Sequence, residues 1–505
     1  MPLVREHALS SPRRPSVRRR AGSAGLAPGS VTPIIVTALA VAAAILAADW
    51  IAAAGIFVLW LIWHLLTEDG EPPVLPLALS FQWVQVTCGV YYLALSGREL
   101  EAHFASDYRP MVLIGLGCVS ALTIGLAIGL KAARSRTTPA DRSGPFAVSW
   151  RTLLIAYVVS SMANAVFRQV AWAAPGLVQA LLALGFIRIG VLFLIFRRLV
   201  RNRFRWEWFF GFLLVELILG FTGYFASFRE PLILAAVALL EVFRPRSALH
   251  WLRIIGVAAL MGAAGLMWIG IRSVYRAEID TGELDSRVER LGRVGELSSE
   301  WFGSELSSFA GDMDRLADRM WTIYYPALAV ERVPDILPHE NGAILLGALK
   351  HIVTPRLLFP NKGILPSDSE MVRQYSGIYV ASTEEGTSIA FGYAGESYID
   401  FGLPWMFLPS LFFGILMGLA YRAVFRVIYH HELAMGLACV VFWLSLYLFE
   451  RSWIKTLGTT LTLLLAVGAV VFVLDRAILR RRARARFRGS ASLRRRSRLA
   501  APRAR

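Results

Sequence analysis

The feature that most constrains this chain is a succession of apolar runs, most of them about 17–25 residues long. In order they are Val31–Ala48, Trp50–Leu66, Pro76–Ser96, Pro110–Leu130, Thr152–Phe167, Pro175–Phe196, Glu207–Phe228, the shorter Pro231–Phe243, His250–Ile271, Leu403–Arg422, Leu433–Phe449 and Ile454–Leu474. Such a run matches the hydrocarbon thickness of a bilayer. There every backbone N–H and C=O must be satisfied within the run, and an α-helix does this. The expected fold is an all-α polytopic membrane protein of about 12 transmembrane helices. Composition agrees, because 56% of the 505 residues are hydrophobic and mean hydropathy is +0.53, values foreign to soluble domains.

One segment breaks the pattern. Between Ile271 and Leu403 stand 12 Lys and Arg against 20 Asp and Glu, in a chain whose formal net charge is +17. The expected organisation is a basic N-terminal tail (1–30), an N-terminal transmembrane bundle (31–271), a large loop (272–402), C-terminal transmembrane helices (403–475) and a basic tail (476–505). Lys and Arg in short loops mark the cytoplasmic side. Lys131–Arg151, Arg197–Arg205, Arg244–Arg253 and Arg422–Glu432 are basic, which places both termini in the cytoplasm and the large loop outside. The acidic connection Thr67–Val74 falls on the inside and fits this scheme worst. Basic tails beside membrane spans meet anionic lipid more often than nucleic acid, so no nucleic-acid partner is expected. The late start of the first apolar run speaks against a cleavable signal. No fixed-period repeat is visible, which excludes solenoids.

Most isolated chemical motifs have ordinary explanations. Asp312-Met313-Asp314 has the form that holds a metal and a nucleotide-sugar in soluble glycosyltransferases. It lies in a stretch, Phe302–Tyr325, whose apolar spacing predicts one amphipathic helix ending before Pro326, so a solvated helix face is expected. His430-His431-Glu432 lacks the i, i+4 histidine spacing of a zinc helix. Cys88, Cys118 and Cys439 lie in apolar runs without metal or disulfide spacing. No metal site and no cofactor are expected. Arg188 and Glu216 are charges inside adjacent apolar runs, where an ion pair is the simplest account.

Cations gather instead at the external side. The turn Thr222–Pro231 holds Arg229; Arg272 and Arg276 leave the ninth run on one helical face, and the large loop adds Lys350, His351, Arg356 and Lys362. Singly, such residues usually snorkel at the interface. Together they favour an anion, because guanidinium groups bind phosphate oxygens through forked hydrogen bonds. Glu396, just before the tenth run, is either a base or an ion-pair partner.

Three stretches carry a resemblance. Lys350-His351-Ile352-Val353-Thr354-Pro355-Arg356-Leu357-Leu358-Phe359-Pro360-Asn361-Lys362 resembles the Pro-Arg-x-x-x-Pro-x-Lys element of bacterial oligosaccharide repeat-unit polymerases of the O-antigen polymerase type. Gly392–Gly402 resembles the Gly-x-x-x-Glu-x-Tyr-x-x-Phe-Gly stretch with which that family enters its next span, and Ala226–Arg229 is similar to its Ser-x-Arg turn. Phe228 and Glu230 depart from the small residues common in that turn. The resemblance covers roughly Glu207 to Arg422 and leaves the first six runs without a matching motif.

The resemblance implies a metal-independent membrane glycosyltransferase. It would polymerise undecaprenyl-diphosphate-linked oligosaccharide units into O-antigen, capsule or exopolysaccharide at the outer face of the bacterial inner membrane. Arg229, Arg356, Lys362, Arg272 and Arg276 would then meet the diphosphate, with Glu396 or His351 as the base. The implied partners are the lipid-linked oligosaccharide, the bilayer and a chain-length regulator or other polysaccharide-assembly proteins. A glycan ligase of similar architecture and a polysaccharide flippase are the alternatives.

Overall fold

The computed structural model describes residues 28–47, 49–68, 71–98, 107–133, 148–173, 176–201, 206–222, 229–242, 248–282, 284, 286–304, 306–355, 358–359, 361–363, 365–381 and 388–481. Among these the fold is all-helical, without a strand. The first helices are α1 (Pro28–Ala47), α2 (Trp50–Leu66), α3 (Val74–Leu95), α4 (Arg109–Ala132), α5 (Trp150–Ala173), α6 (Val178–Gly185) and α7 (Ile187–Arg201). Then come α8 (Trp206–Phe221), α9 (Arg229–Val242) and the long α10 (Ala248–Asp280). Among the described residues six helices are long and apolar enough to cross a membrane: Val74–Leu95, Arg109–Ala132, Trp150–Ala171, Val178–Arg201, Phe407–Val427 and Trp453–Arg481.

The segment between the two helix groups is a set of short helices: α11 (Arg287–Phe302), α12 (Leu306–Met320), α13 (Tyr324–Arg332), α14 (Ala343–Val353), α15 (Asp368–Ser376) and α16 (Gly392–Phe401). Two of them start on a capping box, Ser286 with Glu289 and Ser367 with Glu370, in which each side chain accepts the other residue's backbone N–H. The chain closes with α17 (Phe407–Val427), α18 (His431–Leu446) and α19, which begins at Trp453, passes through a π-turn at Leu463–Val467 and runs on to Arg481.

Two glycine pairs set the bundle centre. Gly125 and Gly129 of α4 face Gly414 and Gly418 of α17, and a Cβ at any of the four would strike the other helix's backbone. The two GxxxG spacings therefore bring these backbones into direct contact. Association inside a membrane depends on such close packing, since lipid tails are as apolar as leucine.

Several charges within the bundle are paired. The Arg188 guanidinium donates to both oxygens of Glu216 at 2.6 and 2.5 Å, Tyr157 Oη donates to the same carboxylate, and Arg188 Nε reaches Ser161 at 3.1 Å. The ion pair expected from the sequence is present. The acidic Thr67–Val74 connection also finds its partner: Arg422, at the far end of α17, binds Glu68 and, at 2.8 Å, Glu71. These acids thus lie at the same end of the bundle as the α17–α18 connection, opposite the large loop. The tight α1–α2 turn is held by Asp49, which accepts Ile51 N–H at 2.9 Å and pairs with Arg109 at 3.0 Å.

Two expectations for Phe302–Tyr325 are corrected. It is not one helix. α12 stops at Met320 because Trp321 turns into the bundle, covers Gly89 of α3 and donates to Val86 O at 2.9 Å, while Thr322 N–H donates to Gln85 O at 3.1 Å. Pro326 sits in the first turn of α13, where its missing N–H costs nothing. Nor is Asp312 on a solvated face. It is buried, accepts the Trp301 indole N–H at 2.7 Å and pairs with Arg315 at 2.9 Å, with Gly270 of α10 directly beneath. Asp314 points elsewhere, accepting Tyr92 Oη–H at 2.8 Å and pairing with Arg98.

Candidate functional site at the loop end of the bundle

A cavity of about 670 Å³ opens where the large loop meets the bundle. Four segments wall it. The end of α12, the following turn and the start of α13 supply Asp318, Arg319, Trp321, Tyr324 and Tyr325. The start of α15 supplies Asp368, residues 388–390 form a third side, and the α18–α19 connection adds Leu448, Glu450, Arg451 and Lys455.

The α18–α19 wall is positioned by buried glutamines of α3. Gln85 accepts Phe449 N–H at 2.7 Å. Gln82 donates to Leu446 O and accepts the Tyr393 hydroxyl at 2.7 Å. These amides satisfy backbone groups that the end of α18 leaves open. The connection can therefore leave the helix without stranding those backbone groups in the core.

Cations and carboxylates alternate around the cavity. Arg319 pairs with Glu450 at 3.1 Å. Lys455 pairs with Asp368 at 2.7 Å and donates to Ser388 Oγ at 2.8 Å. Arg451 donates to Leu444 O at 2.5 Å and lies over the Tyr447 ring at 5.5 Å. Burial works against the Arg451 charge, while Tyr447 and Glu450 support it.

Three of the cations expected from the sequence do not line the cavity but lie within electrostatic reach of its residues or their neighbours. Arg272 is disfavoured as a cation first by burial and then by Arg276, Arg319 and Arg315, so four guanidinium groups from α10 and α12 share one neighbourhood. Arg229 opens α9 and lies within electrostatic reach of Tyr447, as do Arg451, Glu230 and Glu450. A concentration of positive charge that raises its own energy is suited to an anion.

The other expected residues are placed differently. His351 and Lys362 do not line the cavity; Lys362 Nζ donates to the His351 carbonyl at 3.0 Å, folding the turn back onto α14. Arg356 lies outside the described residues, as do 223–228 of the Ser-x-Arg turn. Glu396 is buried in α16 and is absent from the cavity wall; its Oε2 accepts Trp453 N–H at 2.7 Å, which caps α19. Burial pushes its carboxyl up to about 8, opposed by that hydrogen bond. Asp400, one turn further along α16, accepts Ile344 and Leu345 N–H at 3.0 and 2.8 Å and so caps α14. Gly392, which starts α16, has φ +76° and lies against the Phe449 carbonyl, a position no side chain could take.

The sequence reading passed over Arg451, Lys455, Glu450 and Asp368 as site residues. A signal was available: three charges crowd the very short connection between the last two apolar runs. Among the described residues no three His, Cys, Asp or Glu side chains converge as a metal-ligand set, and His430 is engaged by Asp475 at 2.6 Å.

Fold and site together describe an all-helical protein with membrane-length apolar helices and a charged, aromatic-walled cavity at one end of its bundle. No family model matches the chain, no curated protein matches it, and no solved structure does.

Proposed function

We propose that the chain is a polytopic membrane glycosyltransferase that extends a glycan carried on undecaprenyl diphosphate, with the large loop and the cavity on the outer face of the bacterial inner membrane and both tails in the cytoplasm. In this reading about 12 spans cross the bilayer, the shorter apolar helices included. The observation that carries it is the cavity wall, where Arg319 at the end of α12 and Arg451 and Lys455 at the α18–α19 connection stand among two tyrosines and a tryptophan at the loop end of the bundle. The resemblance of Lys350–Lys362 and Gly392–Gly402 to repeat-unit polymerases supports the same class.

The chemistry follows from the charges. When a glycosidic bond to diphosphate breaks, negative charge grows on the leaving oxygen. Fixed guanidinium groups stabilise that charge more than they stabilise the donor. Arg319, Arg451 and Lys455 are the cavity's own cations, and Arg229, Arg272 and Arg276 lie within electrostatic reach of its residues or their neighbours. The acceptor hydroxyl must lose a proton to a base within hydrogen-bond reach. Glu450 is assigned that role, since it lines the cavity beside Arg319, whereas Glu396 is buried and engaged by the Trp453 N–H. Tyr324 and Tyr325 offer apolar faces with polar tips on which sugar rings can rest.

Surface glycan from a deletion strain tests the class. Loss of a polymerase leaves single repeat units on the gel, and complementation restores the ladder. Complete absence of surface glycan would point to a flippase, and unattached full-length polymer would point to a ligase.

A further inference from the structure

The helix α14 and the turn after it present an apolar surface that the described residues leave exposed. Leu346, Leu349 and Val353 are 67%, 44% and 70% exposed, and Leu358 and Phe359 are 70% and 50% exposed. The first three recur at i, i+3 and i+7, so they form one stripe along the helix. Lys350, also exposed, lies on the same stripe. Large apolar side chains concentrated in this way on a segment otherwise rich in charge call for a covering.

The neighbour of α14 identifies the covering. α14 packs against α19, with Ile352 over Gly458. Between Lys455 and Asp475, α19 carries no charged residue, and this interval rises about 28 Å at 1.5 Å per residue, close to the hydrocarbon thickness of a bilayer. Gly458 lies about one helical turn inside that interval from its loop end. α14 is therefore level with the rim of the apolar zone, not above it. Its stripe continues the exposed apolar surface of α19, where Leu461 and Leu465 are 40% and 64% exposed.

We infer that α14 and the Leu358–Phe359 turn are embedded in the bilayer interface as a membrane-seated element of the large loop, with lipid acyl chains as the occupant of the Leu346–Leu349–Val353 stripe. Lys350 then snorkels to the phosphate level, keeping its stem among the chains. Lys362, folded back on the His351 carbonyl, anchors the turn at the same level. The element is tied to the fold at both ends of its contact: Asp400 caps its first turn, and α19 supports its last.

Site-directed spin labelling tests this in the full-length protein, reconstituted in phosphatidylethanolamine–phosphatidylglycerol vesicles. Leu346→Cys, Val353→Cys and Leu358→Cys replace exposed side chains, and Glu331→Cys on α13 is the aqueous control. The background carries Cys88→Ala, and the buried Cys118 and Cys439 stay in place. Monodisperse elution of each variant before labelling excludes misfolding as the source of a result. The expected outcome is a ratio of oxygen to nickel-chelate accessibility several-fold higher at the three stripe positions than at 331. Nickel accessibility equal to that of the control would place the stripe in water and overturn the inference. Shielding from both reagents, with dipolar broadening between labels, would mean that a second copy covers it, which also overturns the inference.

Discussion

Replacing Glu396 by Gln separates two roles for the acidic residue of the Gly392–Gly402 stretch. The structure makes Glu396 the acceptor for Trp453 N–H, enclosed in the core, with its carboxyl pushed up to about 8 from an ordinary 4.5. The sign follows from proton counting. Between pH 4.5 and about 8 the folded protein holds a proton that the unfolded chain has released, so stability is fully present below 4.5 and is lost as pH rises to about 8. At about 1.4 kcal/mol per tenfold change in proton activity, the interval corresponds to at most about 5 kcal/mol, less whatever the site recovers by relaxing. Glu396→Gln keeps an oxygen for Trp453 N–H and cannot ionise. Thermal unfolding in detergent, followed by fluorescence-detected size exclusion from pH 5 to 9, should show wild type losing stability across the window and the Gln variant losing much less. Glu396→Ala strands the buried N–H, and should fall about 1–3 kcal/mol below Gln at every pH. The Gln variant should also still make polymer. A folded Glu396→Gln protein that makes only single repeat units would refute the capping role as its main one and restore Glu396 as the base; a Gln variant as pH-sensitive as wild type would refute the linkage argument.

Three further outcomes follow from the site and the packing. Arg319→Ala and Arg451→Ala should each lower polymer formation at least ~10-fold with the protein still inserted and abundant, since a hydrogen bond to a charged group is worth about 1.5–3 kcal/mol; Arg319→Lys should rescue only in part, and full activity in either Ala variant removes that residue from the site. Asp312→Ala should reduce the yield of folded protein, because it leaves the Trp301 indole N–H and Arg315 unpaired beside Gly270, whereas Asp314→Ala should be far milder; equal yields would put Asp312 back on a solvated face. Gly414→Val should cost at least about 1–3 kcal/mol, read as a lower unfolding temperature, because its side chain meets the Leu122 carbonyl and neither backbone can yield; a neutral Gly414→Val would mean that α4 and α17 are not in direct contact.

What was legible in the chain was what a single run discloses. Membrane-length helices announce themselves because a bilayer demands about 20 apolar residues in a row, and Arg188 and Glu216 stood out because each interrupts such a run. Partners brought together by folding were another matter. Glu68 and Glu71 looked misplaced at the tail end until Arg422, some 350 residues on, closed the pair. Likewise, nothing local tells that Trp321 will leave its helix to cover Gly89, or that this turn will place Arg319 against Glu450. The reciprocal GxxxG spacings and the two glutamines in the third apolar run are readable in the sequence, but which helices they join is not, because their partners lie some 290–360 residues away. The Gly392–Gly402 stretch shows why a motif and its role come apart. Glu396 and Asp400 stand four residues apart, so α16 presents both carboxylates along one side. One caps α19, whose first turns carry the cavity residue Lys455, and the other caps α14, which packs on the same helix. A short helix that fixes the starts of two others needs an acid at each of those positions whatever reaction the cavity runs, and that requirement alone accounts for the pattern read from the sequence as a base.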